Sequence, residues 1–156
     1  HSVSYRQSPL FTAGAFIDTM EVAATWSRLL PMYHAVREAL SPHVFVMAHF
    51  SHAYPDGASI YFTFAGAARD DAACAVAYDR AWQAALKAVV AAGGTLSHHH
   101  GVGRSKAPAM RSEQGTAIDV VRDLKRVLDP KGIFNRGALI PDLDEHTPLG
   151  PVAEAE

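Results

Sequence analysis

A chain of 156 residues with 49% hydrophobic and 19% charged residues is long enough for one domain with a core of its own. Its formal net charge of -2 gives no electrostatic reason to bind nucleic acid or an anionic membrane surface. The single cysteine, Cys74, excludes an internal disulfide framework, and no apolar run reaches the roughly 18 residues of a membrane span.

The opening HSVSYRQSPLFTAG has neither an initiator methionine nor the basic and apolar regions of a secretory leader. The expectation is a piece of a longer, cytoplasmic protein, with peripheral membrane association left open. Phe16, Ile17, Met20 and Val22, with no breaker between them, predict a strand over 14–22. Thr25 is placed to cap a helix whose stripe is Leu29, Met32, Tyr33, Val36 and Leu40, with Pro31 in its first turn or at a kink. VFVMAHFSHAY and ASIYFTFAG are apolar, aromatic and β-branched, and Pro55, Asp56 and Gly57 between them are turn residues, so the pair reads as a hairpin. In its second strand a period of two puts Ile60, Phe62 and Phe64 on one face and Ser59, Tyr61 and Thr63 on the other.

The longest helix comes next, with Asp70 and Asp71 at its positive end, Ala75, Tyr78, Trp82, Leu86 and Val89 as its stripe, and Gly93 as its left-handed cap. GTLSHH reads as a short strand. A glycine loop leads to a last helix over about 114–128, with Ile118, Val121, Leu124 and Leu128 as its stripe and DPKG as its stop. This order predicts an α+β domain over residues 1–140: a ferredoxin-like split βαβ antiparallel sheet with helices on one face, plus an extra C-terminal helix. Residues 141–156 are expected to be an extended or disordered tail. The uncovered sheet face, which carries Tyr61, calls for another domain, a second copy of the chain or a ligand.

The stretch LSHHHGVGRSK concentrates the unusual chemistry. Side chains alternate along a strand, so His98 and His100 share a face that His99 does not, which argues against a metal site built from the triplet. Gly101 and Gly103 allow close backbone approach, imidazoles and N–H groups donate hydrogen bonds, and Arg104 and Lys106 add positive charge. That composition suits a phosphate or carboxylate, against the plainer reading of a histidine-rich surface turn. For Tyr61 the plain alternative is half-buried packing, and His49, His52, Tyr54, Thr19 and Glu21 read as ordinary strand positions. Cys74 reads as a small core residue, and Trp26 and Trp82 as core or interface residues.

GGTLSHHHGVG, preceded by GASIYFTF and followed by LDPKGIFNRGALIP, resembles the C-terminal region of FAD-linked oxidases of the vanillyl-alcohol-oxidase superfamily. Within it the triple histidine most resembles the alkylglycerone-phosphate synthases; relatives that oxidise 2-hydroxy acids tend to carry a Glu-His-Gly-type sequence there. The resemblance implies FAD as cofactor and an N-terminal FAD-binding domain of the same protein as partner. It implies exchange of the acyl group of an acylglycerone phosphate for a long-chain alcohol in ether lipid synthesis, with flavin but without net redox change. Tyr61 would take a proton from the substrate carbon beside the ketone, and His98, His99 and His100 would serve phosphate binding and proton handling. His99, His100 and Asn135 would lie by the flavin, and Asn135 and Arg136 open a segment, through Leu139, that such enzymes need. Arg6 is the nearest counterpart of a substrate-binding arginine, in a segment shorter than the family pattern. Two other readings stay open: an FAD-dependent 2-hydroxy-acid dehydrogenase, and a non-enzymatic ferredoxin-like module that binds a small ligand.

Overall fold

The computed structural model describes residues 14–140. Strand β1 (Ala15–Thr25) leads into helix α1 (Trp26–Leu40), followed by the hairpin of β2 (Phe45–Ala53) and β3 (Gly57–Ala67), helix α2 (Asp71–Ala91), a 3-10 turn (Ala107–Ala109), the short helix α3 (Met110–Gln114) and α4 (Ala117–Leu128). The three strands form one antiparallel sheet in the order β1-β3-β2. The architecture is α+β, as the sequence predicts.

Alternation explains which side of the sheet is covered. Met20, Val22, Ile60, Phe62 and Phe64 are fully buried against Leu29, Met32, Val36 and Leu40 of α1 and Ala81, Trp82, Ala85, Leu86 and Val89 of α2. Truncating Phe62 to Ala there costs about 3–5 kcal/mol. Helix α2 opens with Asp70 accepting from the Ala73 N–H, and Gly93 follows its end at φ 72°.

Several expectations are corrected. The first strand runs on to Thr25, which occupies the cap position of α1 but contacts Ser27 Oγ at 3.4 Å and caps no backbone N–H. Pro31 lies inside α1, beyond its first turn, and costs the helix one backbone bond. Trp26, expected in the core or at an interface, is half-exposed and so not core, its indole N–H drawn outward to the Tyr54 and Pro55 carbonyls of the hairpin turn. On α2, Ala75 is exposed and Cys74 takes the inward position, its thiol on the Gly14 carbonyl at 3.3 Å. On α4 only Ile118 is buried; Val121, Leu124 and Leu128 are exposed, since no described element packs on that stripe.

The fourth strand shrinks to one bridge between Thr95 and Ala23 on the outer edge of β1, where the ferredoxin-like order would place it. Carboxylates take the donors a longer ladder would have used. Glu113 accepts from Leu96 N–H and Thr95 Oγ1, both at 2.8 Å, and Glu21 accepts from the His98 and His99 N–H groups at 3.1 and 3.3 Å. The tail at 141–156 and Arg6 lie outside the described residues. Among the described residues no helix is long and apolar enough to cross a membrane.

Candidate functional site

The site is one row of the sheet. Tyr61 is paired with Glu21 on one side and His49 on the other, and directly opposed residues of antiparallel strands project to the same face. That face is opposite the helices. Residues 97–100 leave the β1 edge and fold across it, which buries Glu21 completely although it stands on the uncovered side.

Because this segment is not a strand, alternation does not govern the triplet. His98 and His99 converge with their Nδ1 atoms 2.8 Å apart, correcting the expectation that His98 pairs with His100. His98 Nδ1 is 3.0 Å from Glu21 Oε1, and His99 Nδ1 is 3.4 Å from the same oxygen. At its other end the His99 ring meets Tyr61, with Nε2 2.8 Å from the hydroxyl. His100 sits edge-on to the Tyr61 ring with centroids 5.0 Å apart, and His49 stacks on it at 4.8 Å and 17°. His52 adds an edge-on contact to His99 at 4.9 Å. Tyr61 therefore sits among four imidazoles, two of which, His49 and His52, read as ordinary strand positions in the sequence.

Glu21 organises this arrangement, although in the sequence it reads as an ordinary strand position. Burial alone would raise its carboxyl, but the His98 and His99 N–H groups and both imidazoles outweigh it and hold it below the usual carboxylate range. Its own carbonyl accepts from Lys106 Nζ at 3.3 Å. Lys106 is buried, and desolvation pulls its ammonium below the ordinary value against the attraction of Glu21, Glu113 and Asp18. Its charge is thus turned inward, unlike the outward anion contact expected of it. Arg104 is exposed and has no ion pair among the described residues.

The loop after the triplet keeps its backbone open. Gly101 and Gly103 have φ of 75° and 59° with no atom within 4 Å of where a Cβ would stand, so glycine is needed here for conformation and leaves the approach clear. Ser97 closes the turn by donating to the Gly101 carbonyl at 2.8 Å. The segment from Asn135 is tied to this loop, since Leu139 N–H donates to the Gly103 carbonyl at 3.0 Å. Asn135 and Leu139 both hold positive φ, at 43° and 67°, and the second is costly for a branched side chain. Asn135 and Arg136 are exposed beside this strained turn. Asp129 fixes its root by accepting from Ile133 N–H, Phe134 N–H and Lys125 Nζ at 2.9, 3.0 and 2.7 Å.

Glu21, His98 and His99 bring one polar atom each within 4.8 Å of one another, a spacing that also accommodates a cation. A proton on His98 Nδ1 satisfies the same group by hydrogen bonds alone, with Oε2 of Glu21 already engaged by two backbone N–H groups.

The chain is 30% identical over 159 residues to an alkyldihydroxyacetonephosphate synthase of Dictyostelium discoideum, covering 97% of this chain and 26% of that protein. It is 27% identical to the Trypanosoma brucei brucei protein of that name, covering 80% of this chain and 21% of the relative, and 27% identical to an uncharacterised FAD-linked oxidoreductase of Escherichia coli K12, covering 79% and 28%. A solved alkyldihydroxyacetonephosphate synthase structure superposes with a TM-score of 0.56 at 25% identity, over 86% of this chain and 23% of the other. The chain thus spans about a quarter of the length of the proteins it matches. The model of the C-terminal domain of FAD-linked oxidases matches residues 6–139, and the chain belongs to that family.

Proposed function

We propose that this chain is the substrate domain of a flavoenzyme that exchanges the acyl group of an acylglycerone phosphate for a long-chain alcohol. The observation that carries the reading is Tyr61: its hydroxyl stands on the open face, 2.8 Å from His99 Nε2 and ringed by imidazoles. Deprotonated to the phenolate, with its own proton passed to the surrounding imidazoles, Tyr61 can take the proton from the carbon between the ketone and the acyl oxygen. The bond from that carbon to the acyl oxygen breaks, a fatty acid leaves, and the alcohol oxygen forms the new bond as its proton is returned. The exchange is redox-neutral.

A flavin fits this face. The exposed rings of His99 and His100 offer flat surfaces, His100 adds ring nitrogens, and with Asn135 they would hold it. When bound, it supplies an electron-accepting ring beside the reacting carbon. Arg104, Arg136 and the open backbone at Gly101 and Gly103 are assigned to the phosphate, with Arg6 as a further cation. The exposed α4 row of Val121, Leu124 and Leu128 is read as a surface toward the flavin-binding part of the same polypeptide, because about three quarters of the relatives' length lies outside this chain.

The test uses the full-length protein, labelled long-chain alcohol and no electron acceptor. Label entering an ether lipid is the expected result. Acceptor-dependent oxidation of lactate or glycolate without alcohol exchange transfers the reading to a 2-hydroxy-acid dehydrogenase, and absence of both flavin and turnover transfers it to a binding module.

A further inference from the structure

We propose that Glu21 is a positioning residue that fixes the tautomers of His98 and His99, so that Tyr61 receives rather than donates the hydrogen bond joining it to His99; this rests on the reading of Tyr61 as proton acceptor. The argument starts at the buried end. Glu21 Oε2 is held by the His98 and His99 N–H groups, leaving Oε1 directed at His98 Nδ1 at 3.0 Å. A carboxylate only accepts, so His98 Nδ1 carries a proton. The same N–H faces His99 Nδ1 at 2.8 Å, and two nitrogens that close require one proton between them, which His98 already supplies. His99 Nδ1 is therefore the acceptor, and the neutral ring keeps its proton on Nε2. That N–H lies 2.8 Å from Tyr61 Oη and donates to it.

The opposite assignment, with the proton on His99 Nδ1, would set the lone pair of His98 Nδ1 against the carboxylate at 3.0 Å. The order of the row thus matters. One carboxylate, placed on β1 between the fully buried side chains of Met20 and Val22 and so rigidly held, sets whether His99 Nε2 presents an N–H or a lone pair to Tyr61. Tyr61 can then turn its own hydroxyl toward the open face, and the donated hydrogen bond stabilises its oxygen when the proton is gone.

Neutron diffraction from crystals of the full-length flavoenzyme reads these protons directly. The expected map shows deuterium on His98 Nδ1 and His99 Nε2 in the unaltered protein, and a mixture of His99 tautomers in Glu21→Gln, whose amide both donates and accepts. In steady-state exchange assays Glu21→Gln should lower kcat about 10–100-fold with KM within about threefold. A proton on His99 Nδ1 in the unaltered protein overturns the proposal whether or not the variant folds, as does an unchanged kcat in a folded Glu21→Gln. A stoichiometric divalent ion retained by the unaltered protein through dialysis and lost in the variant also overturns it, because the Nδ1 atoms would then be offering lone pairs. If the protons lie as stated but no alcohol exchange is found, the functional reading fails and the positioning of Tyr61 stands; exchange with the wrong tautomers is the reverse.

Discussion

Strand β1 sends one carboxylate to each face of the sheet, and each is linked to a tyrosine. On the helix-covered face Asp18 accepts from Tyr78 Oη at 2.6 Å and from the Trp82 indole N–H at 3.2 Å. On the open face Glu21 reaches Tyr61 only through His98 and His99. The difference is in the direction of the proton. Tyr78 is locked as a donor: burial, then the Asp18 carboxylate, push its phenol up to about 12, and no base chemistry near neutrality is open to it. Tyr61 is joined to its carboxylate through two imidazoles and stands where a substrate can reach it. The same residue types make a structural clasp on one side and a candidate catalytic group on the other.

Removing each hydroxyl tests that contrast most severely. In the full-length protein Tyr61→Phe should lower alcohol exchange about 100-fold to 10,000-fold while flavin absorbance and folding stay intact, a loss typical of a missing general base. Turnover within a few-fold of the unaltered protein refutes the role given to Tyr61. Tyr78→Phe should leave kcat within about threefold and instead cost about 1.5–3 kcal/mol in denaturant unfolding, the worth of a hydrogen bond to a charged group. An activity loss matching that of Tyr61→Phe would break the contrast.

The clasp also has a pH signature. A phenol raised from 10.0 to about 12 favours the folded state through its neutral form. Its contribution is fully present below about pH 10 and is lost as pH rises through about 12. Unfolding curves of the unaltered protein and Tyr78→Phe should therefore converge over that window, and a constant separation through pH 12 contradicts the assignment.

What the sequence could say about the two faces follows from the range of each signal. Alternation within β3 is local, so Ile60, Phe62 and Phe64 were legible as core and Tyr61 as facing away. Glu21 and His49 were not legible as its neighbours, because that depends on register between strands, and register is set by contacts remote in sequence. Had the β1 pattern of buried Met20 and Val22 been aligned with buried Phe62 and Ile60, Glu21 would have fallen opposite Tyr61. The convergence of His98 and His99 was hidden for another reason: Glu113 and Glu21 divert backbone donors from the ladder, and nothing in GTLSHH announces that. Lys106 misled because a lysine's charge and stem are ambiguous between surface and interior. On α4 the apolar period marks a face, but periodicity alone does not say whether a described element covers it.

A third carboxylate sharpens the comparison by behaving like neither. Among the described residues Asp129 has no hydrogen bond to a tyrosine; the Lys125 ammonium, with the Ile133 and Phe134 N–H groups, holds its carboxyl down at about 2. Its depressed value makes the charged form the stabilising one, so the contribution is present above the ordinary value of 3.8 and is lost as pH falls through about 2. Since those bonds root the turn that carries Asn135, acid should loosen this turn locally. Amide exchange at Ile133 and Phe134 should speed up over that acid window, after allowance for intrinsic rates, while that of Phe62 in the core does not. Asp129→Asn should show the fast exchange already at neutral pH, because an amide loses the charge attraction of Lys125 and one of its two accepting oxygens. Equal protection in the variant would mean that the turn is held by the Leu139 to Gly103 bond instead, and the root at Asp129 would be incidental.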